Sequence, residues 1–215
     1  SVQHLAEQLF PGQGAALAIA WRDKQIEYTR LVTQSDPNPV EGSRFYQSFW
    51  DITRLSLHYC LDRLKLDRTQ GQDVALMGQY AKLNAFPENL AVLRSIKRHG
   101  LRTAILSNGS PTMLDSAVHS AGMAGLLDHV ISVDSLRLFK TAPQAYALVQ
   151  QTIVLPLEQI LFVSSNAWDA LGANWFGLRT HWVNRQDLPF EALEPRPNFS
   201  GADLRSVLQT LELEE

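Results

Sequence analysis

Cysteine is almost absent from this sequence of 215 residues: Cys60 is the single one, so no disulfide can form within the chain. On an apolar helical pattern a lone thiol reads as packing rather than as a nucleophile, and a reducing cytoplasm fits it. Long hydrophobic runs are missing as well. The longest, Ala15 to Trp21, falls far short of the ~20 residues of a membrane span and reads as a helix face. No signal-peptide pattern opens the chain. Charge of one sign is not in excess: 19 Lys and Arg oppose 22 Asp and Glu, interspersed, for a net charge of −3, which argues against a basic groove for nucleic acid. Neither Gly-x-Gly-x-x-Gly nor Gly-x-x-x-x-Gly-Lys-[Ser/Thr] occurs, so nucleotide phosphate binding has no motif support. The Gly-x-Ser-x-Gly elbow is lacking too. The six histidines (His4, His58, His99, His119, His129, His181) show no metal-ligand spacing, and His181, inside an alternating strand pattern, reads as structural. What remains is a chain with 45% hydrophobic residues, ordinary for a globular protein and long enough for one large domain or a core with an insert.

Two regions differ in pattern. Up to about Lys82, Leu5, Leu9, Leu17, Ile19 and Trp21, and then Phe45, Phe49, Ile52, Leu55 and Tyr59, recur at helical spacing. The breaker-rich segment from Ser35 to Gly42 separates these blocks as a polar loop. From Phe86 onward helices and short apolar strands alternate. Pro87 opens a helix stopped by Gly100, with Lys97, Arg98 and His99 complementing its dipole. The expected strands are Thr103 to Leu106, His129 to Val133, Ile160 to Val163 and Thr180 to Val183. Ser110 and Pro111 suit the N-cap and first turn of the helix after the first strand, and Gly122 closes that helix. Further helices are expected around Tyr146 to Gln151 and Trp168 to Phe176. This alternation predicts right-handed βαβ units and an α/β, doubly wound, parallel Rossmann-like sheet. The division is a helical cap subdomain over 1–84 and an α/β core over 85–215.

In an open parallel sheet, ligands bind beyond the carboxyl ends of the strands. After the first strand stand Ser107, Asn108 and Gly109, suited either to receiving a carboxylate at a helix start or to an ordinary turn capped by Ser110. After the second come Asp134, Ser135 and then Lys140, in a loop before the helix that carries Tyr146. After the third come Ser164, Ser165, Asn166, Ala167, Trp168 and Asp169. Asn166 with Asp169 could form a capping-box-like start, or Asp169 could be a site acid held near Lys140; the pattern leaves both open.

The strings Ile105 to Ser110, Lys140, and Phe162 to Asp169 closely resemble the later motifs of the 2-haloacid dehalogenases of the haloacid dehalogenase superfamily. Trp21 to Thr29 resembles that subfamily's cap motif, and the similarity runs along nearly the whole chain. The resemblance implies a hydrolase that converts short 2-haloalkanoic acids to 2-hydroxy acids, without cofactor, through an aspartyl ester. It implies Lys140 orienting the nucleophile, and Asp169, Asn166 and Ser164 positioning the hydrolytic water and the lysine. Ser107 and Asn108 would receive the substrate carboxylate, and Arg22 would meet the departing halide. Ile26, Phe49 and Trp168 would line an apolar pocket for the alkyl group, with Tyr146 supporting Lys140. A homodimer is the family expectation. Phosphatase relatives place acids after the third strand to hold magnesium; Ser164, Ser165 and Asn166 stand there instead, leaving too few oxygen ligands for a hard cation, so a metal-independent reaction is expected. A magnesium-dependent phosphatase and a non-catalytic binding protein on a decayed scaffold are the alternatives.

Three departures stand out. The family's nucleophile motif, Asp-x-Tyr-Gly-Thr, occurs nowhere in the sequence, and Ser1-Val2 aligns just after it. The expectation is that one central strand and its loop, about 20 residues or ~65 Å of extended chain, are missing. Unpaired ladder groups would cost about 1–3 kcal/mol each against a typical domain stability of about 5–15 kcal/mol. Truncation is the expected explanation, with a rearranged paralogue or a strand from another chain as alternatives, and no turnover is expected of these 215 residues alone. Thr141 follows Lys140 where the family has Pro, and the Ser35–Gly42 loop resembles an insertion in the cap.

Overall fold

A computed structural model describes residues 1–80, 82 and 84–214. The chain divides into two compact units. The first comprises 1–84, 107–121 and 132–139, the second 85–106, 122–131 and 140–215. The segment expected as a cap thus lies within the first unit, which also takes in two stretches expected in the core.

The first unit is helical. Helix α1 spans Val2–Leu9, α2 Gly14–Gln34, α3 Phe49–Arg63 and α4 Gln70–Tyr80. The apolar faces bury Ala6, Phe10, Leu17, Trp21, Leu57, Leu61, Leu76 and Met77. Cys60 is in the same core, where burial raises its thiol pKa, consistent with a packing role. Two polar side chains inside pair with the α3 residue Thr53: the Trp21 indole donates to its carbonyl at 2.8 Å, and the Gln25 amide donates to its hydroxyl. Two expectations fail locally. Ile19 is 64% exposed, and Phe45 lies outside any helix because α3 starts only after Ser48, whose hydroxyl accepts from Asp51 N–H. A side-chain cap fixes a helix start more firmly than an apolar residue one turn earlier.

The loop from Ser35 to Gly42 is pinned. Asp36 accepts backbone N–H bonds from Asn38 and Arg44, and Ser43 N–H donates to Arg137 carbonyl at 3.0 Å. Gly42 has φ +83°, and a Cβ there would sit 2.3 Å from the Leu136 carbonyl oxygen. This unit also holds α6, Pro111–Ser120, with Ser110 at the N-cap position, without a side-chain cap bond, and Pro111 as first helical residue.

The second unit contains α5 (Asn89–Arg98), α7 (Pro143–Ile153), α8 (Ala167–Phe176) and α9 (Arg205–Thr210). Strands β1 (Ala104–Ser107) and β2 (His129–Ser132) run out of it at their last residues, and β3 (Leu161–Ser164), β4 (Arg179–Val183) and β5 (Phe199–Gly201) lie within it. The α/β class and the four expected strands are present, with ends shifted by a residue. Among the described residues the strands form two sheets, β1–β2 and β3–β4–β5. The carbonyl of Thr103 accepts from His129 N–H and that of Ser107 from Val133 N–H, four residues on in both strands, so β1 and β2 run the same way. In the larger sheet Val163 pairs in parallel with His181, and His181 with Phe199. Among the described residues, β1 and β3 each have a strand neighbour on one side only. Periodicity identifies strands but not their neighbours, which the register supplies.

Two cores cover the larger sheet. Tyr146, Val149, Ile153, Phe162, Ala173 and Leu178 form one, with Leu106 packed against it. Val92, Ile96, Val183, Val207 and Leu208 form the other. His181 is fully buried beside the second core, its Nδ1 3.0 Å from the Thr210 hydroxyl and its Nε2 2.9 Å from the Ser206 hydroxyl. The same two hydroxyls donate to backbone carbonyls, Ser206 to that of Asp203 and Thr210 to that of Ser206, so the ring lies within a hydrogen-bonded network.

Candidate active site

In the second unit, β3 delivers Ser164 at its carboxyl end and the chain turns at once into α8, with Asn166 as N-cap residue and Asp169 in the first turn. Asp169 is 4% exposed. A capping box would send its carboxylate back to the Asn166 N–H. That N–H instead donates to the Ser164 hydroxyl at 3.2 Å, and the carboxylate faces elsewhere. Its Oδ2 accepts from Lys140 Nζ at 3.0 Å and from the Ser164 hydroxyl at 2.9 Å; its Oδ1 accepts from the Tyr146 hydroxyl at 3.0 Å. Of the two alternatives left by the sequence, the geometry matches the acid held by Lys140.

Lys140 is 8% exposed and directly precedes the loop into α7. Its Nζ lies 5.0 Å from the Phe162 ring centroid, an orientation in which the ring face attracts the cation. Taking both charges out of water is costly, and a buried pair is tolerable only when its remaining lone pairs and protons are satisfied. Three donors on one carboxylate meet that condition on the acid's side. Tyr146 is fully buried, its ring edge-on to Phe162 at 5.7 Å and against Phe176 at 6.0 Å. Burial, then the charge of Asp169, then the hydrogen bond to it, push the phenol far above its ordinary pKa, so Tyr146 acts as a fixed donor. Both oxygens of Asp169 are thus engaged, Oδ2 by Lys140 and Ser164 and Oδ1 by Tyr146. Trp168 and Asn166 flank it at the start of α8, both half-buried.

The other expected residues belong to the first unit. The Ser107 hydroxyl accepts from Gly109 N–H at 3.0 Å, and the Ser132 hydroxyl donates to the Gly109 carbonyl at 2.6 Å. The Ser107–Gly109 turn is therefore held in shape from both sides, with Asn108 at its tip, half-buried. Arg22 is exposed on α2, and Ile26, one turn on, is half-buried. Phe49 opens α3, with its ring 6.1 Å from that of Phe139.

One polar pair escaped the sequence reading. Tyr46 donates a short hydrogen bond to Asp134, two residues after β2, and burial and this bond raise the Tyr46 pKa well above the ordinary phenol range. The two lie 88 positions apart; the position of Asp134 at a strand's carboxyl end was the only available signal. The adjacent Phe139 is fully buried, and its N–H donates to the Thr33 hydroxyl at 3.0 Å. Among the described residues, no three His, Cys, Asp or Glu side chains are grouped to hold a metal ion, and no helix is long and apolar enough to cross a membrane.

The family model of the haloacid dehalogenase-like hydrolases matches residues 42–177, and the chain belongs to this family. Haloacetate dehalogenase H-2 of Moraxella sp. (strain B) is 38% identical over 211 residues, covering 98% of this chain and 91% of that one. The (S)-2-haloacid dehalogenase of Pseudomonas sp. (strain YL) is 38% identical over 212 residues, covering 99% and 88%. Among solved structures, the L-2-haloacid dehalogenase RSc1362 superposes with a TM-score of 0.94 at 51% identity, over 98% of this chain and 91% of that one. The L-2-haloacid dehalogenase of Xanthobacter autotrophicus with chloropropionic acid covalently bound gives 0.85 at 31% identity, over 99% and 93%.

Proposed function

We propose that this protein hydrolyses short L-2-haloalkanoic acids to 2-hydroxy acids, residues 1–84 acting as a helical cap and 85–215 as the catalytic core. The observation that carries the reading is the buried Lys140–Asp169 pair with Ser164 and Tyr146 donating to the same carboxylate. In the proposed reaction an aspartate carboxylate attacks the halogen-bearing carbon; the carbon–halogen bond breaks, halide leaves and an aspartyl ester forms. Water then adds to the ester carbonyl, releasing the 2-hydroxy acid and the free carboxylate. Lys140 holds the negative charge of the nucleophile in position. Asp169 and Ser164 fix Lys140, while Asn166 helps orient the water. Ser107 and Asn108 receive the substrate carboxylate, and Arg22 stabilises the developing halide charge. Apolar side chains meet the alkyl group, the role proposed for Ile26 and Phe49 and, separately, for Trp168. Tyr146 holds Asp169.

The Asp-x-Tyr-Gly-Thr motif that would provide the nucleophile is not among these 215 residues, so the 215-residue chain is expected to release no halide. The test compares halide release from the enantiomers of 2-chloropropionate by this chain and by a form extended with a strand carrying that motif. Turnover of the L-enantiomer only by the extended form, lost in its Lys140→Met variant, is the expected result; halide release by the 215-residue chain would overturn the inactivity, and full turnover by the Lys140→Met variant would overturn the site. A magnesium-dependent phosphatase is disfavoured because Asp169 already accepts three hydrogen bonds, one from a cation that a metal would have to displace. Sedimentation checks the homodimer.

A further inference from the structure

Helix α8 carries a glycine at its middle, Gly172, one turn after Asp169. It is buried between Ala170 and Leu171 on one side and Ala173 on the other. Glycine inside a helix destabilises it by about 0.5–1 kcal/mol relative to alanine, so its presence needs a packing reason. A Cβ at this position would sit 2.6 Å from the Tyr146 hydroxyl oxygen and 2.7 Å from the Thr141 Cγ2. The phenol cannot swing aside, since Tyr146 is fully buried and its ring is held by Phe162 and Phe176. The atom that a methyl would strike is the one that donates to Asp169 Oδ1.

We propose that Gly172 is a positioning residue: its missing side chain lets the Tyr146 hydroxyl reach Asp169 and thereby fixes the Lys140–Asp169 ion pair. Glycine lets α7 approach α8 closely enough for the phenol to lie over the α8 backbone. Tyr146 then holds Oδ1, which leaves Oδ2 turned toward Lys140 and Ser164. In Gly172→Ala the phenol is displaced, Asp169 turns to satisfy Oδ1, and Lys140 moves with it. The inference rests on the dehalogenase reading only for its activity arm.

The test is a cycle of Gly172→Ala, Tyr146→Phe and their combination, read on the Lys140 side-chain ammonium by nitrogen-15 NMR. With five lysines in the chain, the signal is assigned by comparison with Lys140→Met. Gly172→Ala and Tyr146→Phe each shift the Lys140 resonance in the same direction, and adding Gly172→Ala to Tyr146→Phe changes it little further, because the struck oxygen is already gone. Should Gly172→Ala alone not fold, the same comparison is made with Thr141→Ser added to every member, which removes the other struck atom. An unmoved Lys140 signal in Gly172→Ala, or fully additive shifts, overturns the proposal. In a form that turns over 2-chloropropionate, Gly172→Ala lowers kcat by roughly 10²-fold, the effect of an ångström-scale misplacement, with KM nearly unchanged. Loss confined to KM counts against positioning, whereas absence of turnover in every form counts against the dehalogenase reading and leaves the NMR result standing.

Discussion

The Lys140–Asp169 pair makes a quantitative prediction about stability. Both side chains are nearly inaccessible, at 8% and 5% exposure. Removing one partner of a buried pair strands the other charge, at a cost of about 3–5 kcal/mol. In Lys140→Met the stranded carboxylate keeps the hydroxyl donors of Ser164 and Tyr146, and hydrogen bonds to charged groups are worth about 1.5–3 kcal/mol each, so the loss falls near the lower end, about 3 kcal/mol. In Asp169→Asn the stranded group is an ammonium without its counter-charge, and the loss is about 3–5 kcal/mol. The double variant buries no charge, conserves volume, and leaves the amide oxygen to accept from one hydroxyl; its loss is about 1–2 kcal/mol. For a chain of this length each kcal/mol shifts Tm by roughly 2–4 °C, so the Lys140→Met melt moves down by roughly 6–12 °C, and the double variant's by roughly 2–8 °C. Urea unfolding of the four proteins, analysed with a common slope, measures the coupling. If the two single losses add to within about 0.5 kcal/mol of the double, the buried-pair reasoning is refuted.

The remaining predictions concern other parts of the fold. His181 is held neutral by burial, which lowers its pKa below the ordinary 6.5; the unfolded chain therefore binds the proton first, and the stability from this group, present above pH ~6.5, is lost as pH falls toward the folded value. His181→Asn should show a smaller drop in urea midpoint between pH 7.5 and 5.5 than the parent; equal drops would contradict the assignment. Asp128, which accepts from Lys97 and from the Thr103 N–H and hydroxyl, has its pKa lowered from 3.8 to about 2. Its contribution is complete above pH ~4 and fades as pH falls through about 2, so Asp128→Asn should flatten the acid limb of a stability–pH curve in that window. Gly42→Ala places a Cβ against the Leu136 carbonyl at a backbone angle reserved for glycine, and should lower stability by about 1–3 kcal/mol in the same urea assay.

How much of this was legible in the sequence depends on how local each feature is. The strands from β1 to β4 and the turn into α8 were readable because apolar runs, caps and breakers act over a few residues. Strand β5 was not: Phe199–Gly201 is three residues long and follows a Pro- and Glu-rich stretch, too short for any period to show. The short helix α9 escaped for the same reason. Ile19 kept its helical spacing in α2 yet stayed exposed, because spacing says which residues share a face and not whether anything covers it. At the site, Lys140, Ser164 and Asp169 were selected for their positions beyond strand ends, and the choice between cap and ion pair needed coordinates.

Gly172 marks the limit of that legibility. In the sequence it is a weak point in a helix; in the structure its lack of a side chain is what the Tyr146–Asp169 bond requires. Residues that contribute atoms to a site announce themselves by type, whereas one that contributes space has no chemical signature. It becomes visible only when the neighbours that use the space are placed. The pairing of Tyr46 with Asp134 likewise shows only in the fold, since 88 positions separate them. A reading by residue type therefore recovers the charged centre of this site before the packing that orients it, and the Gly172→Ala and Tyr146→Phe cycle is the measurement that separates the two contributions.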